Sequence, residues 1–407
     1  METALPVRPL RPMRPMFVTG SLVHGGAERH SITLMNRLAE RGHECHAVYV
    51  KNDPSQLGRI RLGQGGTVRC LDAGGYFDAA ALREFAAHIA RIRPTALIAA
   101  NGYALLWTAI ANRLSGWRVP VIATFHTTAL HGAKEQVKML IERPFFWLAD
   151  QCVFVCGLQR DYWLRRGVCA RRNSVIWNGV DTAHFAIGDD ARDAASLAER
   201  RAALGFGAAD YVIGISAVLR PEKNHVQLVD ALGALRGRGI PARLLIIGDG
   251  PLRGAVEARA KARGVDGAVA ITGFQQDVRP FVAAADVMVL CSIAVETFSL
   301  AALEAMAMGK PVVHAELGGA AEMIVPGDNG LLFPVGDTAA LVAALARLAD
   351  RALAARMGRR ARELAESMFS EAVMVDRYEQ LLREARSYDR QTIPRRDVRT
   401  AVQETRQ

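Results

Sequence analysis

Two glutamates separated by seven residues, Glu296-Thr-Phe-Ser-Leu-Ala-Ala-Leu-Glu304, are the residues in this chain best spaced for chemistry. Val287–Cys291 ahead of them reads as a short buried strand. Ala301–Met308 reads as a helix, stopped by Gly309 and followed by Pro311. Glu296 therefore falls in a strand-to-helix loop, and Glu304 about a turn and a half into the helix. The backbone N–H groups at Phe298, Ser299 and Leu300 are the open donors of a helix start, which favour an anion. Acids on both sides of an anion site suit a ligand with hydroxyls at each end and phosphate between, which describes a nucleotide-sugar.

Arg220 and Lys223, in Leu219-Arg-Pro-Glu-Lys-Asn224, add positive charge at the end of another strand. A cation ~4 Å from a phosphate charge gains about 4 kcal/mol at an effective dielectric near 20, before desolvation. Such a pair stabilises a departing nucleotide diphosphate, or it is simply a solvated helix start. Gly248-Asp-Gly250-Pro-Leu-Arg-Gly254 lies between a strand and a helix. Its spacing is GxGxxxG and not the dinucleotide fingerprint GxGxxG, so it reads as a turn beside the nucleotide. The chain has no GxxxxGK[ST], HExxH or GxSxG motif, and Asp189 and Asp190 are adjacent and not a spaced metal pair. No metal and no cofactor are expected; a diphosphate would be met by Arg220, Lys223 and the helix start.

Near the N-terminus, Met16–Thr19 runs into Ser21-Leu-Val-His-Gly25-Gly26-Ala-Glu28 and then a helix ending at Gly42. Gly25 and Gly26 either let backbone approach a ligand closely or serve a tight turn needing positive φ. His126 falls at the carboxyl end of the strand Val121–Phe125, where ligands bind in parallel sheets; it is a site residue or a structural histidine.

The elements that carry these residues alternate strand and helix twice along the chain. The first series runs through Cys45–Val50, Val68–Leu71, a helix over Ala80–Arg91, Ala96–Ala100, a helix over Tyr103–Leu114, and Val121–Phe125. It closes near Ser174-Val-Ile-Trp-Asn-Gly-Val-Asp181. A stretch over Ala183–Ala209 reads as linker. The second series starts at Tyr211–Ser216 and continues through Arg243–Ile247, Val269–Thr272 and the strand before Glu296. Helices are predicted over most of Thr338–Glu384, and a tail from Ser387 is predicted to be disordered. The fold class is α/β with doubly wound parallel sheets.

At 407 residues the chain can hold two substantial cores. No run is apolar enough to span a bilayer, and the Pro/Arg-rich start lacks an apolar export segment, so a cytoplasmic setting is expected. The six cysteines include no CxxC pair and read as reduced thiols. A net charge of +10 without a basic helix interleaved with aromatics points away from nucleic acid and towards phosphorylated substrates or an anionic membrane surface. The segment His131–Leu148, with Lys134, Lys138 and Arg143 ahead of Phe145-Phe146-Trp147, is either a membrane-resting stretch or a helix with a solvated face. Arg165, Arg166, Arg171 and Arg172 form a second basic cluster.

In order, His24-Gly-Gly-Ala-Glu28, His126, Val175–Asp181, Arg220-Pro-Glu-Lys223, Gly248-Asp-Gly-Pro251, the Glu296/Glu304 pair and Asp328-Asn-Gly-Leu-Leu332 make the chain resemble the retaining GT-B glycosyltransferases of family 4, from about Met16 to Tyr378. The resemblance implies two Rossmann-like domains facing a cleft. Residues 14–182 would bind acceptor, residues 210–368 the nucleotide-sugar, and residues 369–386 would form a helix returning to the first domain, with 387–407 as tail. It implies diphosphate contacts from Arg220 and Lys223, ribose contact from Glu304 and hexose contact from Glu296, with Gly25, Gly26 and His126 also on the donor. It implies metal-independent hexosyl transfer with retention. The expected donor is a UDP-sugar in preference to GDP-mannose, the expected acceptor is a glycan or lipid-linked one of cell-envelope, lipopolysaccharide or exopolysaccharide type, and the expected setting is cytoplasmic, either free or peripheral on the inner membrane face. A GT-B sugar-nucleotide 2-epimerase and a non-catalytic sugar-nucleotide-binding subunit are the alternatives. Three positions depart from the family: Trp177 stands where proline is usual, and Thr297 and Ser299 where glycine is frequent.

Overall fold

The computed structural model describes residues 12–23, 25–126, 132–186, 194–294 and 296–387; His24, residues 187–193 of the expected linker and the tail 388–407 lie outside it. The chain forms two compact units. One comprises the residues up to Val155, Arg160–Ile176 and Val375 onward; the other comprises Cys156–Gln159 and Trp177–Met374.

The first unit runs β1 (Pro15–Thr19), α1 (Gly26–Glu40), β2 (His46–Tyr49), β3 (Val68–Cys70), α2 (Ala79–Ile92), β4 (Ala96–Ala100), α3 (Asn101–Leu114), β5 (Val121–Phe125), α4 (Ala133–Phe146), β6 (Gln151–Phe154), α5 (Gly157–Leu164, whose first residues Gly157–Gln159 group with the second unit) and β7 (Arg172–Val175). Its seven strands are all parallel, in the order β3-β2-β1-β4-β5-β6-β7. The direction of winding reverses between β1 and β4, the kind of position where open α/β sheets bind ligands. The central strands are buried along their whole length and mostly apolar, as in a sheet covered by helices on both faces. Phe125, Phe146, Phe154 and Trp163 pack edge to face within the core, with ring centroids 5.0–6.2 Å from Phe125. Local signals agree with the elements. Asp78 caps α2 by accepting from the N–H groups of Ala80 and Ala81, and Arg93 ends the same helix at φ 53°.

The second unit runs α6 (Ala194–Ala203), β8 (Tyr211–Ser216), α7 (His225–Gly237), β9 (Ala242–Ile247), α8 (Arg253–Ala262), β10 (Val269–Ile271), α9 (Arg279–Ala284), β11 (Val287–Leu290), α10 (Leu300–Ala307), β12 (Val312–Ala315), α11 (Ala320–Met323), β13 (Gly330–Phe333), α12 (Thr338–Leu348) and α13 (Arg351–Ser367). Its six parallel strands are ordered β10-β9-β8-β11-β12-β13, with the reversal between β8 and β11. A last helix, α14 (Glu371–Ser387), belongs with the first unit from Val375 on.

Part of the stretch read as linker is structured. In α6 the buried Arg201 donates to the carbonyls of Ala284 (3.0 Å) and Asp210 (3.4 Å) and to Asp286 Oδ1 (2.7 Å). Asp286 in turn accepts from the N–H of Val212 at the start of β8. A buried guanidinium with an acceptor at each of its three nitrogens docks the helix, so α6 forms despite the weak local pattern around it. All six cysteines are free thiols. Among the described residues no helix is long and apolar enough to cross a membrane.

Candidate functional site

The residues singled out in the second unit stand at carboxyl ends of its strands. Arg220 and Lys223 follow β8, Gly248 and Gly250 follow β9, and Glu296 follows β11, so the β8/β11 reversal brings their loops together. Pro221–Lys223 form a single 3-10 turn, ended by Asn224 at φ 52°. This turn aims Lys223 at the other loop. Lys223 Nζ lies 2.6 Å from Glu296 Oε2, and Ser292 Oγ donates to the same oxygen at 3.0 Å. Lys223 and Glu296, read separately from the sequence, are thus one ion pair, with side chains 26% and 11% exposed. Arg220 is exposed, and among the described residues it has no carboxylate partner.

Phe298, Ser299 and Leu300 do lead into a helix, α10. Ser299 is its N-cap: the hydroxyl oxygen accepts from the N–H of Ala302 at 3.4 Å. The Phe298 ring is buried, so only its backbone can face a ligand. Its carbonyl accepts from Asn178 Nδ2 at 3.0 Å, and the ring stacks on Trp177 at 6.4 Å and 11°. Glu304 sits inside α10 and is buried. Gly250 is required for packing, since a Cβ there would come within 2.7 Å of the Leu219 carbonyl oxygen.

Sequence reasoning passed over the residues that hold the Glu296 loop. Gly318 (φ +59°) lies so close beneath it that a Cβ would be 1.8 Å from the Glu296 carbonyl oxygen. The Gly319 N–H donates to the Thr297 carbonyl at 2.7 Å. Glu322, three residues on, accepts from the N–H groups of Gly157 (2.7 Å) and Leu158 (3.2 Å) at the start of α5 and from the indole of Trp177 (2.9 Å). The signal available was a paired glycine after a strand with an acid three residues later. Trp177, the departure from proline, is thereby an aromatic brace shared by Phe298, Phe369 and Glu322.

His225 opens α7 beside Lys223. It is 1% exposed, and neither ring nitrogen has a hydrogen-bond partner. Burial, then the charge of Lys223, lowers its pKa to about 4; burial, then Arg91, does the same to His88 in α2. The unfolded chain binds protons at these residues more readily, so stability is present above pH 6.5 and lost as pH falls from there towards 4. Each histidine is expected to cost about 2 kcal/mol at pH 5. Denaturant melts at pH 7 and pH 5 check this. His225→Gln should reduce the difference between the two by about its own share.

In the first unit, Gly25 is the N-cap of α1 at φ −146°, and Gly26 has no positive φ. The tight-turn reading therefore falls away. A Cβ at Gly26 would meet nothing within 4 Å, leaving open space in front of the α1 start. His126, half-buried, donates its backbone N–H to Asn101 Oδ1 at 3.0 Å. Its ring lies 4.7 Å from that of His30, and His30 Nε2 is 3.1 Å from Tyr378 Oη on α14. Burial first, then His30, holds His126 well below the ordinary histidine pKa, so its imidazole is neutral.

Two units of this kind, each a doubly wound parallel sheet, with the second unit's acid, cation and helix start at its winding reversal, define the GT-B class of glycosyltransferase fold. Residues 24–184 match a family model described as Glycosyltransferase Family 4, and residues 210–351 one described as Glycosyl transferases group 1. The chain belongs to this family of glycosyltransferases. It is 35% identical over 156 residues to the lipopolysaccharide core biosynthesis glycosyltransferase LpsE of Rhizobium meliloti, a match covering 38% of this chain and 44% of that protein. It is 32% identical over 273 residues to the D-inositol 3-phosphate glycosyltransferase of Saccharomonospora viridis, covering 61% of each. The chain thus spans less than two thirds of the length of both relatives. The crystal structure of Anabaena Alr3699/HepE in complex with UDP superposes with a TM-score of 0.80 at 22% identity, covering 91% of this chain and 100% of that one.

Proposed function

We propose that this chain transfers a hexose from a nucleotide-sugar, with a UDP-sugar as donor, to a lipopolysaccharide or exopolysaccharide-type acceptor. The observation that carries the reading is the Lys223–Glu296 pair at 2.6 Å beside the start of α10. It sets a cation, an acid and open backbone donors where a sugar diphosphate needs all three. Arg220, Lys223 and the N–H groups of Phe298, Ser299 and Leu300 meet the diphosphate charge, and the step calls for no metal. Glu304 takes the ribose and Glu296 the hexose hydroxyls. Hydrogen bonds to a charged acceptor contribute about 1.5–3 kcal/mol each. Gly25, Gly26 and neutral His126 are assigned to the donor as well, and Gly250 to the turn beside the nucleotide.

In the transfer, the bond from the anomeric carbon to the diphosphate oxygen breaks and its electron pair leaves on that oxygen. The acceptor hydroxyl oxygen bonds to the same face of the sugar and passes its proton to the leaving phosphate, so configuration is retained. Support for the donor comes from crystal structures of the Anabaena protein in complex with UDP and with UDP-glucose. Support for the acceptor comes from the lipopolysaccharide core enzyme of Rhizobium meliloti. A lipid-linked acceptor would bring the enzyme to a membrane surface.

A thermal-shift panel of UDP-, GDP- and ADP-sugars on the full chain tests the reading. A ligand at a hundredfold excess over its Kd adds about 2.7 kcal/mol, and a UDP-sugar is expected to raise Tm by roughly 5–10 °C. Absence of a shift with every nucleotide-sugar, or conversion of the bound donor to its epimer without acceptor, would refute it.

A further inference from the structure

Four loops leave the carboxyl end of the first unit's sheet and meet around one tyrosine. Lys51 follows β2, and its N–H donates at 2.9 Å to the carbonyl of Gly20, which follows β1. A Cβ at Gly20 would lie 3.2 Å from Tyr103 Cδ1, so that loop rests on the Tyr103 ring. Tyr103 lies in the first turn of α3, just after β4, and its hydroxyl donates at 3.4 Å to the carbonyl of Gly75, beyond β3. Strands β1 and β4 flank the reversal of winding, where a parallel sheet presents its loops to a ligand.

The side chains gathered there are rings, cations and a buried acid. Phe77, 60% exposed, meets Tyr76 edge-on at 5.1 Å, and Tyr76 meets Tyr103 at 5.0 Å, so rings lead inward from the surface. Lys51 and Lys138, both exposed, stand 5.5 Å and 5.9 Å from the centroid of the Tyr103 ring. Glu142 of α4 is 3% exposed; its Oε1 accepts from the Tyr76 hydroxyl at 2.9 Å and faces Lys138 Nζ at 3.7 Å. A Cβ on Gly102 would strike Oε2 of the same carboxylate, so the carboxylate keeps its place only against a glycine. Burial raises the pKa of Glu142, and Lys138 and Tyr76 offset that cost only in part. Apolar residues would fill the same space without such a cost, and titratable groups perturbed in this way cluster at functional sites. Among the described residues Lys51 has no carboxylate partner, so its charge is open to a ligand.

We propose that Lys51 and Lys138, with Tyr76 and Phe77, bind an acceptor sugar that bears an anionic substituent, a carboxylate or a phosphate. The exposed Phe77 ring offers a flat apolar surface to the C–H face of a pyranose, and the two ammoniums meet the charge that a neutral sugar lacks. A neutral glycan fits less well, because it would use the rings and leave Lys51 unpaired. As an acceptor subsite the assignment rests on the transfer reading above; as a binding site it rests on these contacts alone. It adds to that reading the class of acceptor that is taken, an acidic sugar.

Titration of the full chain with methyl glucuronide, glucose 6-phosphate and methyl glucoside, followed by ligand-observed NMR with and without excess UDP, tests it. At least one anionic sugar is expected to bind about tenfold more tightly than the neutral one, each exposed ion pair adding about threefold. Which of the two binds better identifies the substituent as carboxylate or phosphate. Lys51→Gln and Lys138→Gln should each cost about threefold on the anionic sugars alone and together remove the preference. Lys51→Gln breaks no ion pair among the described residues and should leave Tm unchanged, so its effect is not one of folding. Phe77→Ala should weaken all three sugars. Arg165→Gln/Arg166→Gln, which removes the same charge elsewhere, should change nothing. The proposal is overturned if no sugar binds, if all three bind equally, or if UDP displaces them. It is overturned as well if the preference survives the double lysine variant or is lost in the arginine variant. A donor-induced thermal shift without this preference removes the subsite and leaves the transfer reading standing; lysine-dependent binding without any donor shift does the reverse.

Discussion

Lys223→Ala is expected to lower kcat/KM for the donor by about 10²–10³-fold, the loss typical when one preorganised charge-stabilising donor is removed. The stability cost should be smaller. Breaking a fully buried pair on one side costs about 3–5 kcal/mol, but Lys223 is a quarter exposed and Ser292 still donates to the orphaned carboxylate. About 1–2 kcal/mol is expected, which calorimetry would register as a few degrees. A mutant cycle with Glu296→Gln distinguishes two roles for the lysine. If Lys223 serves only to hold Glu296, the double variant should be no slower than the worse single one. If the cation also acts on the diphosphate, the losses should be partly additive. Arg220→Ala is the companion measurement, because among the described residues this exposed guanidinium has no carboxylate partner to abandon. It should slow transfer and leave the melt unchanged.

Gly318→Ala is expected to be the most damaging single methyl group near this site. The residue holds φ +59°, which costs an L-residue about 1–2 kcal/mol. Its Cβ would also lie 1.8 Å from the Glu296 carbonyl oxygen and 3.0 Å from that of Thr297, so the loop must move, at about 1–3 kcal/mol more. The sum, about 2–5 kcal/mol, corresponds to a fall in Tm of roughly 5–15 °C. The displaced loop is the one that carries Glu296, so donor affinity should fall with it. Gly26→Ala provides the contrast. Its Cβ would meet nothing within 4 Å, and alanine favours a helix more than glycine does, so the melt should hold or rise slightly. Thermal melts of the two variants side by side separate a glycine needed by the backbone from one facing open space.

The strands and helices around the site were legible because period and punctuation agree there. The strands at Ala96–Ala100, Val121–Phe125 and Tyr211–Ser216 coincide with their predicted spans, being continuous apolar runs bounded by breakers. The strand Gln151–Phe154 escaped notice: it is four residues long and adjoins a segment read for its charges. Helix α6 escaped because Arg201 docks it through partners 9 to 85 residues away, which no local window contains. The acid, cation and helix-start residues of the candidate site could be picked out by type and order. That Lys223 pairs with Glu296, and that Ser299 spends its hydroxyl oxygen on a cap, are facts of three-dimensional distance. The bracing by Gly318, Glu322 and Trp177 was hidden for the same reason, although the tryptophan stood out as an oddity.

The helix α14 also bears on the order of events during synthesis. His30 meets Tyr378 across 348 residues of chain, and Arg41 meets Asp376 at 2.6 Å and Glu379 at 2.9 Å across nearly as many. The buried His43 faces Glu379 as well, at 3.3 Å. At ribosomal speeds of about 5–20 residues per second, these partners emerge roughly 17–70 s after α1 does. During that interval the nascent first unit has its sheet but lacks the side chains that cover His30 and His43, while the whole second unit is being made. The part translated first is thus completed last. A fragment ending at the linker would carry that exposed face permanently and be prone to aggregate, and a shortened C-terminus would injure the opposite end of the sequence.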